Sequence, residues 1–367
     1  MQGISKDVTA RELAEVSSAL PYAVPIGDRF QELFGIGRTT QWRLIEHGEV
    51  ESILDLAAEL KAHPSDFRNA LQGKQAVLMF EKPSLRTRMT FEVGIQSLGG
   101  SSYFVDQTQS HIGAREEIGD IAKNLSRWMD AIILRTFSHS TVTQMAANAT
   151  IPVINALSDL EHPCQALADY LTLQEHFPDL QKLKLAYIGD GNNVVHSLLL
   201  TAACLGSSIS VATPKDYEPA KSVVERAKDL ALLSGAKIEV VRDPRIAVMG
   251  ADAVYTDVWA SMGQEEESAK RSKIFAGYQV NEELMSLAAR HAVFMHCLPA
   301  HRGHEVAAPV IDGPNSIVFE QAENRLHVQK AILLLLMGDK RSDSAGYSHP
   351  SDRKTGARRG PQWSAHA

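Results

Sequence analysis

From about residue 75 the chain alternates short β-branched runs with segments whose apolar positions recur at helical spacing, the pattern of a parallel sheet wrapped by crossover helices. Two such halves are visible. In the first, Ala76–Phe80 reads as a strand, and Phe91, Ile95 and Leu98 follow at helical spacing until Gly99-Gly100 stops the helix. Tyr103–Val105 is the next strand. Ile118, Ile121, Ala122, Leu125, Trp128 and Met129 form one helical stripe, and Ala131–Leu134 and Val153–Asn155 complete the half. Pro163 suits the first turn of a helix, where its missing N–H costs nothing, and a stripe through Leu167, Tyr170 and Leu171 toward Phe177 makes this helix a bridge between the halves. The second half places strands at Leu185–Ile188, Ile209–Ala212, Ile238–Val241, Ala253–Tyr255, Val293–Met295 and Ile317–Phe319. A final helix is expected from about Glu323 to Met337.

The chain of 367 residues exceeds the usual single-domain size, so two α/β domains sharing one site are expected, each a mainly parallel sheet flanked by helices. Their expected bounds are 36–165 and 166–322, with the helix 323–337 returning to complete the first. Residues 1–35 read as an N-terminal arm. Residues 338–367 turn polar, with no apolar period, and read as a disordered tail. No run approaches the roughly 20 apolar residues that cross a bilayer. The formal charge of -7 argues against nucleic-acid binding, which needs a basic face, and leaves small metabolites as partners. Cys164, Cys204 and Cys297 cannot all pair and show no CxxC spacing, which fits a reducing compartment. The first forty residues lack the apolar core of a signal peptide, and Asp7, Glu12 and Glu15 break the acid-poor character of a transit peptide, so a cytoplasmic location is expected.

Nearly every conspicuous polar cluster falls just past the carboxyl end of an expected strand, where open α/β sheets bind ligands. Glu81-Lys82-Pro83-Ser84-Leu85-Arg86-Thr87-Arg88 enters a helix whose unpaired N–H groups favour an anion; the plain alternative is a capped helix start with surface arginines. Arg135 ends a strand, where a lone arginine is more often a surface residue. His162 by itself fits a histidine that satisfies a backbone carbonyl. Gly189-Asp190-Gly191-Asn192-Asn193 resembles a nucleotide turn without the third glycine, and Asn192-Asn193 suits an amino acid better than a pyrophosphate. Asp257 can hold an ammonium group or cap a helix. Cys297 is either a nucleophile or, more commonly, a structural cysteine.

Together these segments resemble the aspartate/ornithine carbamoyltransferase family from about Leu54 to Met337. Ser84-Leu85-Arg86-Thr87-Arg88 is similar to the family's carbamoyl-phosphate motif Ser-Thr-Arg-Thr-Arg except at Leu85, which removes one hydroxyl and keeps the backbone N–H. His162-Pro163-Cys164-Gln165 resembles the second motif, Asp257 through Gln264 (DVWASMGQ) the loop of the ornithine branch, His296-Cys297-Leu298-Pro299 the ornithine-type third motif, and Glu323-Asn324-Arg325 the last. Each motif is short; specificity comes from the set and its order. The resemblance implies two α/β domains, one for carbamoyl phosphate and one for ornithine, with the active site in the cleft between them. It also implies trimers or multiples of trimers and no metal or organic cofactor.

On that resemblance, Ser84, Leu85, Arg86, Thr87 and Arg135 hold the phosphate, and His111 reaches the phosphate of a neighbouring subunit. His162, Arg325 and the Cys297-Leu298 backbone surround the carbamoyl oxygen, and Gln165 orients the carbamoyl amide. Asn193, Asp257, Ser261 and Met262 contact ornithine, with Asp257 on the α-ammonium. Arg135, His162, Cys297 and Arg325 are the implied catalytic set. Leucine at position 85 also occurs in relatives that act on an acylated ornithine, the rival acceptor. A non-catalytic metabolite-binding relative and a nucleotide-dependent dehydrogenase are the alternatives of other classes. The first would be favoured by loss of Arg86, His162 or Arg325, all of which are present, and the second would need a complete glycine fingerprint.

Overall fold

The computed structural model describes residues 47–107, 111–260 and 267–338. The expected arm, the tail beyond Gly338, and Ser261 and Met262 lie outside these residues. Helix α1 (His47–Ala62) leads into strand β1 (Gln75–Phe80), followed by α2 (Leu85–Ser97), β2 (Ser101–Asp106), α3 (Ile118–Trp128), β3 (Ala131–Arg135), α4 (His139–Asn148) and β4 (Val153–Leu157). The bridging helix α5 (Pro163–His176) follows. Beyond it come β5 (Lys184–Ile188), α6 (Asn193–Leu205), β6 (Ser208–Ala212), α7 (Lys221–Ser234), β7 (Ile238–Val241), α8 (Pro244–Val248), β8 (Ala253–Thr256), α9 (Ser268–Phe275), α10 (Glu282–Met285), β9 (Val293–His296), α11 (Ala308–Ile311) and the long α12 (Val318–Met337).

Two parallel sheets result, in the orders β2-β1-β3-β4 and β7-β6-β5-β8-β9. Both faces of each sheet are covered, which is why the central strands read as continuous apolar runs. In β1, Leu78 and Phe80 join the layer formed with α1, α2, α5 and α12, while Val77 and Met79 face the opposite layer with Ala122 of α3 and Val142 and Met145 of α4. The same division holds in β5: Leu185 and Tyr187 pack toward α6 and α7, and Ala186 and Ile188 toward α8. One apolar core runs unbroken from the first sheet through α5 and α12 to the second sheet. α12 packs against α1, α2 and α5, so the end of the described chain closes the first domain.

One expected element is absent. Ile317–Phe319 is not a strand; Ser316 makes a single bridge to Phe294, and Val318 already opens α12, five residues ahead of the expected start at Glu323. The burial decides the matter physically. A strand would bury Ile317 and Phe319 on one face, yet Ile317 and Val318 are buried and Phe319 is 74% exposed. Val318, Gln321 and Arg325 then recur at helical spacing, all buried.

The topology presents two crevices to each other. In the first sheet the order reverses between β1 and β3, and in the second between β5 and β8. Such reversals leave a gap at the carboxyl ends of the strands, where ligands bind. The segments 81–88, 135, 189–193 and 257–260 leave from these four ends.

Candidate active site

Ser84 caps α2 from an extended backbone conformation, and its hydroxyl accepts the Thr87 N–H at 3.2 Å. The first-turn N–H groups have no acceptor within the helix, so this end favours an anion. Arg135 approaches from β3 with its Nη1 3.5 Å from the Thr87 hydroxyl, and Arg325 of α12 donates to the same oxygen at 3.1 Å. Arg325 also donates to the side-chain oxygen of Gln165 on α5. His162 stands immediately before α5, its N–H bonded to the Ser197 hydroxyl at 2.8 Å. From the second domain, Asn193 opens α6 and donates to the Ser158 carbonyl of the first at 2.7 Å.

Asp257 follows β8. Its Oδ1 accepts the Val258 N–H and the Cys297 thiol at 2.8 and 3.1 Å, and its Oδ2 accepts the Asn192 amide at 2.8 Å. Cys297 and Leu298 follow β9. Leu298 adopts φ 56°, a left-handed conformation that costs a leucine about 1 kcal/mol or more, and its N–H donates to His296 Nδ1 at 2.9 Å.

Ser84, Leu85, Arg86, Thr87, Arg135, His162 and Gln165 line one cavity of about 520 Å³, together with Asn193, Asp257, Cys297, Leu298 and Arg325. The structure thus gathers these residues, singled out in the sequence, around one cavity. His111 lies elsewhere: it is 72% exposed, beside Glu81 at 3.6 Å and packed on the Phe137 ring. Buried Glu81 holds this loop by accepting the Ile112 and Phe137 N–H groups, both at 2.8 Å.

Electrostatics divide the cavity. Burial, with help from Arg325 and Arg86, lowers Arg135 to about 10, still charged at neutral pH. Burial, then Arg325 and Arg135, pushes His162 well below the ordinary histidine range, so the imidazole is neutral beside the guanidinium groups. At the end of β9, burial and the Asp257 charge push the Cys297 thiol well up, so it is protonated rather than a thiolate. Asp190 rises to about 6 through burial, against the pull of the Arg271 guanidinium 3.0 Å away. Arg271 also donates to the Trp259 carbonyl at 2.7 Å, which anchors the segment after Asp257. Asp257, His296 and Cys297 place ligand atoms within 4.8 Å of one another, a set able to hold a metal ion. All three are engaged in hydrogen bonds: Asp257 as above, Cys297 to Asp257, and His296 between the Leu298 N–H and buried Glu305.

His301, which lines the cavity, escaped the sequence reading, because it depends on loop geometry. Lys82 and Asn192 stand within the segments 81–88 and 189–193 of that reading without roles of their own; Lys82 lines the cavity and Asn192 is the direct partner of Asp257. Gly191 proves to be structural, because a Cβ there would lie 2.2 Å from the Glu218-Pro219 backbone. That turn packs on protein, which removes the basis for the dehydrogenase alternative.

His196 of α6 ties the loop before His162 to the second domain. Its Nδ1 meets the Leu160 carbonyl at 2.7 Å, and its Nε2 accepts the Ala220 N–H at 2.8 Å. Protonation would turn that acceptor into a donor, and burial accordingly lowers its pKa. A depressed histidine contributes stability that is complete above the unfolded value near 6.5 and is lost as pH falls through the folded pKa. The Tm difference between the native protein and His196→Ala should therefore shrink as pH is lowered below that value. A constant difference would mean that Nε2 is not the acceptor.

With this geometry in place, comparison with known proteins is decisive. The carbamoyl-phosphate-binding domain model of aspartate/ornithine carbamoyltransferases matches residues 39–175, and the Asp/Orn-binding domain model matches residues 181–336. The chain belongs to the aspartate/ornithine carbamoyltransferase family. Within it, the chain is 55% identical over 293 residues to an ornithine carbamoyltransferase of Symbiobacterium thermophilum, covering 79% of this chain and 94% of that one. It is 49% identical over 306 residues to one of Shewanella oneidensis, covering 83% and 99%. The structure of ornithine carbamoyltransferase from Pyrococcus furiosus superimposes with a TM-score of 0.79 at 46% identity, covering 83% of this chain and 98% of that one. The two parallel-sheet α/β domains are thus the fold of the carbamoyltransferase family.

Proposed function

We propose that the protein transfers the carbamoyl group of carbamoyl phosphate to the side-chain amine of L-ornithine, giving L-citrulline and phosphate, and serves arginine metabolism. One observation carries the assignment of roles. Buried nitrogens of Arg135 (Nε), His162 (Nδ1) and Arg325 (Nε), on three residues lining the same cavity, have no hydrogen-bond partner among the described residues. Unpaired buried donors are costly in a protein that binds nothing there. In this reading residues 36–165, completed by the C-terminal helix, form the carbamoyl-phosphate domain, and 166–322 the ornithine domain.

Ser84, the Leu85 and Arg86 backbone, Thr87 and the Arg86 and Arg135 side chains neutralise the phosphate and make it a good leaving group. His162 and Arg325, with the Cys297-Leu298 backbone, bind the carbamoyl oxygen and stabilise the negative charge that develops there. A neutral His162 does this as a hydrogen-bond donor. Gln165 orients the carbamoyl amide. Asp257 holds the α-ammonium, with Asn193, Ser261 and Met262 placing the rest of ornithine. The neutral δ-amine attacks the carbonyl carbon, and the tetrahedral intermediate expels phosphate, which takes up the proton that the nitrogen gives up. Cys297, kept as a thiol by burial and by its carboxylate neighbour, is no covalent nucleophile. Alignment of two reactants and fixed electrostatics supply the rate.

The assembly in this reading is a homotrimer or multiple of trimers, in the cytoplasm. Leu85, Met89 and Val93 form an exposed apolar ridge on α2, a surface suited to a second copy. His111, exposed and outside its own cavity, is placed to serve a neighbour. Three unpaired cysteines fit a reducing compartment, and no helix among the described residues is long and apolar enough to cross a membrane.

The acceptor test is direct. Offered saturating carbamoyl phosphate with ornithine, acetylornithine, putrescine or aspartate in turn, the protein should form product with ornithine at a kcat/KM at least about 10²-fold above the others. Preference for acetylornithine would transfer the assignment to the acylated substrate.

A further inference from the structure

We propose that Asp169 is a positioning residue for carbamoyl transfer: its carboxylate, gripping the amides of Gln165 and Gln321, fixes which way both point, toward the donor pocket and toward the Cys297 strand end. The inference rests on the reading of Gln165 and Arg325 as carbamoyl-phosphate ligands. Asp169 lies on α5, one turn beyond Gln165, and is fully buried. One of its oxygens accepts Gln165 Nε2 and Gln321 Nε2, each at 2.7 Å.

The logic is one of hydrogen-bond polarity. An amide side chain can be inserted either way round, but Oδ1 of Asp169 accepts both bonds whether the group is ionised or carries its proton on the unpartnered Oδ2, so each glutamine must turn its NH₂ end toward Asp169. The oxygen of Gln165 is thereby delivered to Arg325, whose second arm reaches the Thr87 hydroxyl at 3.1 Å. The oxygen of Gln321 is delivered to the His296 N–H at 3.0 Å, one residue before Cys297, while its NH₂ also reaches the Tyr255 hydroxyl at 3.1 Å. Gln165, Gln321, Tyr255, His296 and Arg325 are all buried, so water cannot supply substitutes. Burial raises Asp169 to about 7 even though both amide bonds pull it down, which marks a carboxylate retained at a cost. A merely structural position would be filled more cheaply by an apolar side chain.

The experiment is a double-mutant cycle with Gln165→Ala, Asp169→Ala and the pair, measured by steady-state kinetics in each substrate. Asp169→Ala should lower kcat/KM for carbamoyl phosphate by on the order of 10 to 100-fold while the ornithine KM moves less than about twofold. Adding it to Gln165→Ala should cost less than about twofold more, because the two act as one unit. Asp169→Asn, whose oxygen still accepts both amides, should recover part of the loss. Additive losses, an ornithine KM that moves in step with that of carbamoyl phosphate, or an Asn variant no better than Ala would each overturn the proposal. If Gln165→Ala itself leaves carbamoyl phosphate kinetics unchanged, the ligand reading of Gln165 falls and the proposal with it. Should Asp169→Ala not fold, Asp169→Glu, whose extra methylene displaces the carboxylate from Gln165, enters the same cycle with the same expected non-additivity.

Discussion

Arg325→Ala is expected to lower kcat/KM for carbamoyl phosphate by on the order of 10²–10³-fold, with a much smaller change in the ornithine KM. The side chain is buried and joins the Gln165 oxygen to the Thr87 hydroxyl. Its removal deletes the proposed charged donor to the carbamoyl oxygen, leaves the Gln165 oxygen without its partner, and lifts one of the charges that, after burial, hold His162 neutral. A charge-assisted donor aimed at developing negative charge contributes about 3–4 kcal/mol in a dry site, and each 1.4 kcal/mol or so is a factor of ten. Steady-state kinetics in both substrates check the result. An effect confined to ornithine would move Arg325 out of the donor pocket.

Asp257→Ala is expected to do the converse, raising the ornithine KM by on the order of 10²-fold while carbamoyl phosphate binding stays close to native. Among the described residues lining the cavity, Asp257 is the one carboxylate that can face the proposed acceptor's ammonium group. The same substitution carries an internal check. Asp257 is the acceptor of the Cys297 thiol and its charge raises that thiol, so its loss should move Cys297 down toward the ordinary cysteine value. Iodoacetamide at neutral pH should then alkylate Cys297 faster in the variant than in the native protein. Unchanged alkylation together with an unchanged ornithine KM would remove Asp257 from the acceptor site.

Much of the fold was legible because the two periodicities differ so sharply here. Strands buried on both faces read as unbroken apolar runs, and helices such as α3 announce themselves by a stripe. Legibility ended where a short apolar run serves either state. Ile317-Val318-Phe319 reads as a strand until Glu320, Gln321 and the buried Arg325 show the helical spacing, and the buried Val318 beside the exposed Phe319 decides it. The site was legible through position, since polar clusters at strand ends had to meet at the two sheet reversals. Arg135 illustrates the limit. Alone it reads as a surface arginine, yet it is 6% exposed, and only the pairing of β1 with β3 brings it to Thr87. The relay through Asp169 and Gln321 was invisible because its partners stand 152 residues apart and neither belongs to a motif.

The return of α12 to the first domain has a consequence for biosynthesis. A ribosome that has released everything up to residue 317 has made every strand of both sheets, yet the apolar faces of α1, α2 and α5 that this helix covers still stand open to water. The guanidinium that completes the donor pocket is also still missing. The first half therefore cannot mature ahead of the second: its core closes, and the proposed phosphate cradle gains Arg325, only after every strand of the second sheet has been made.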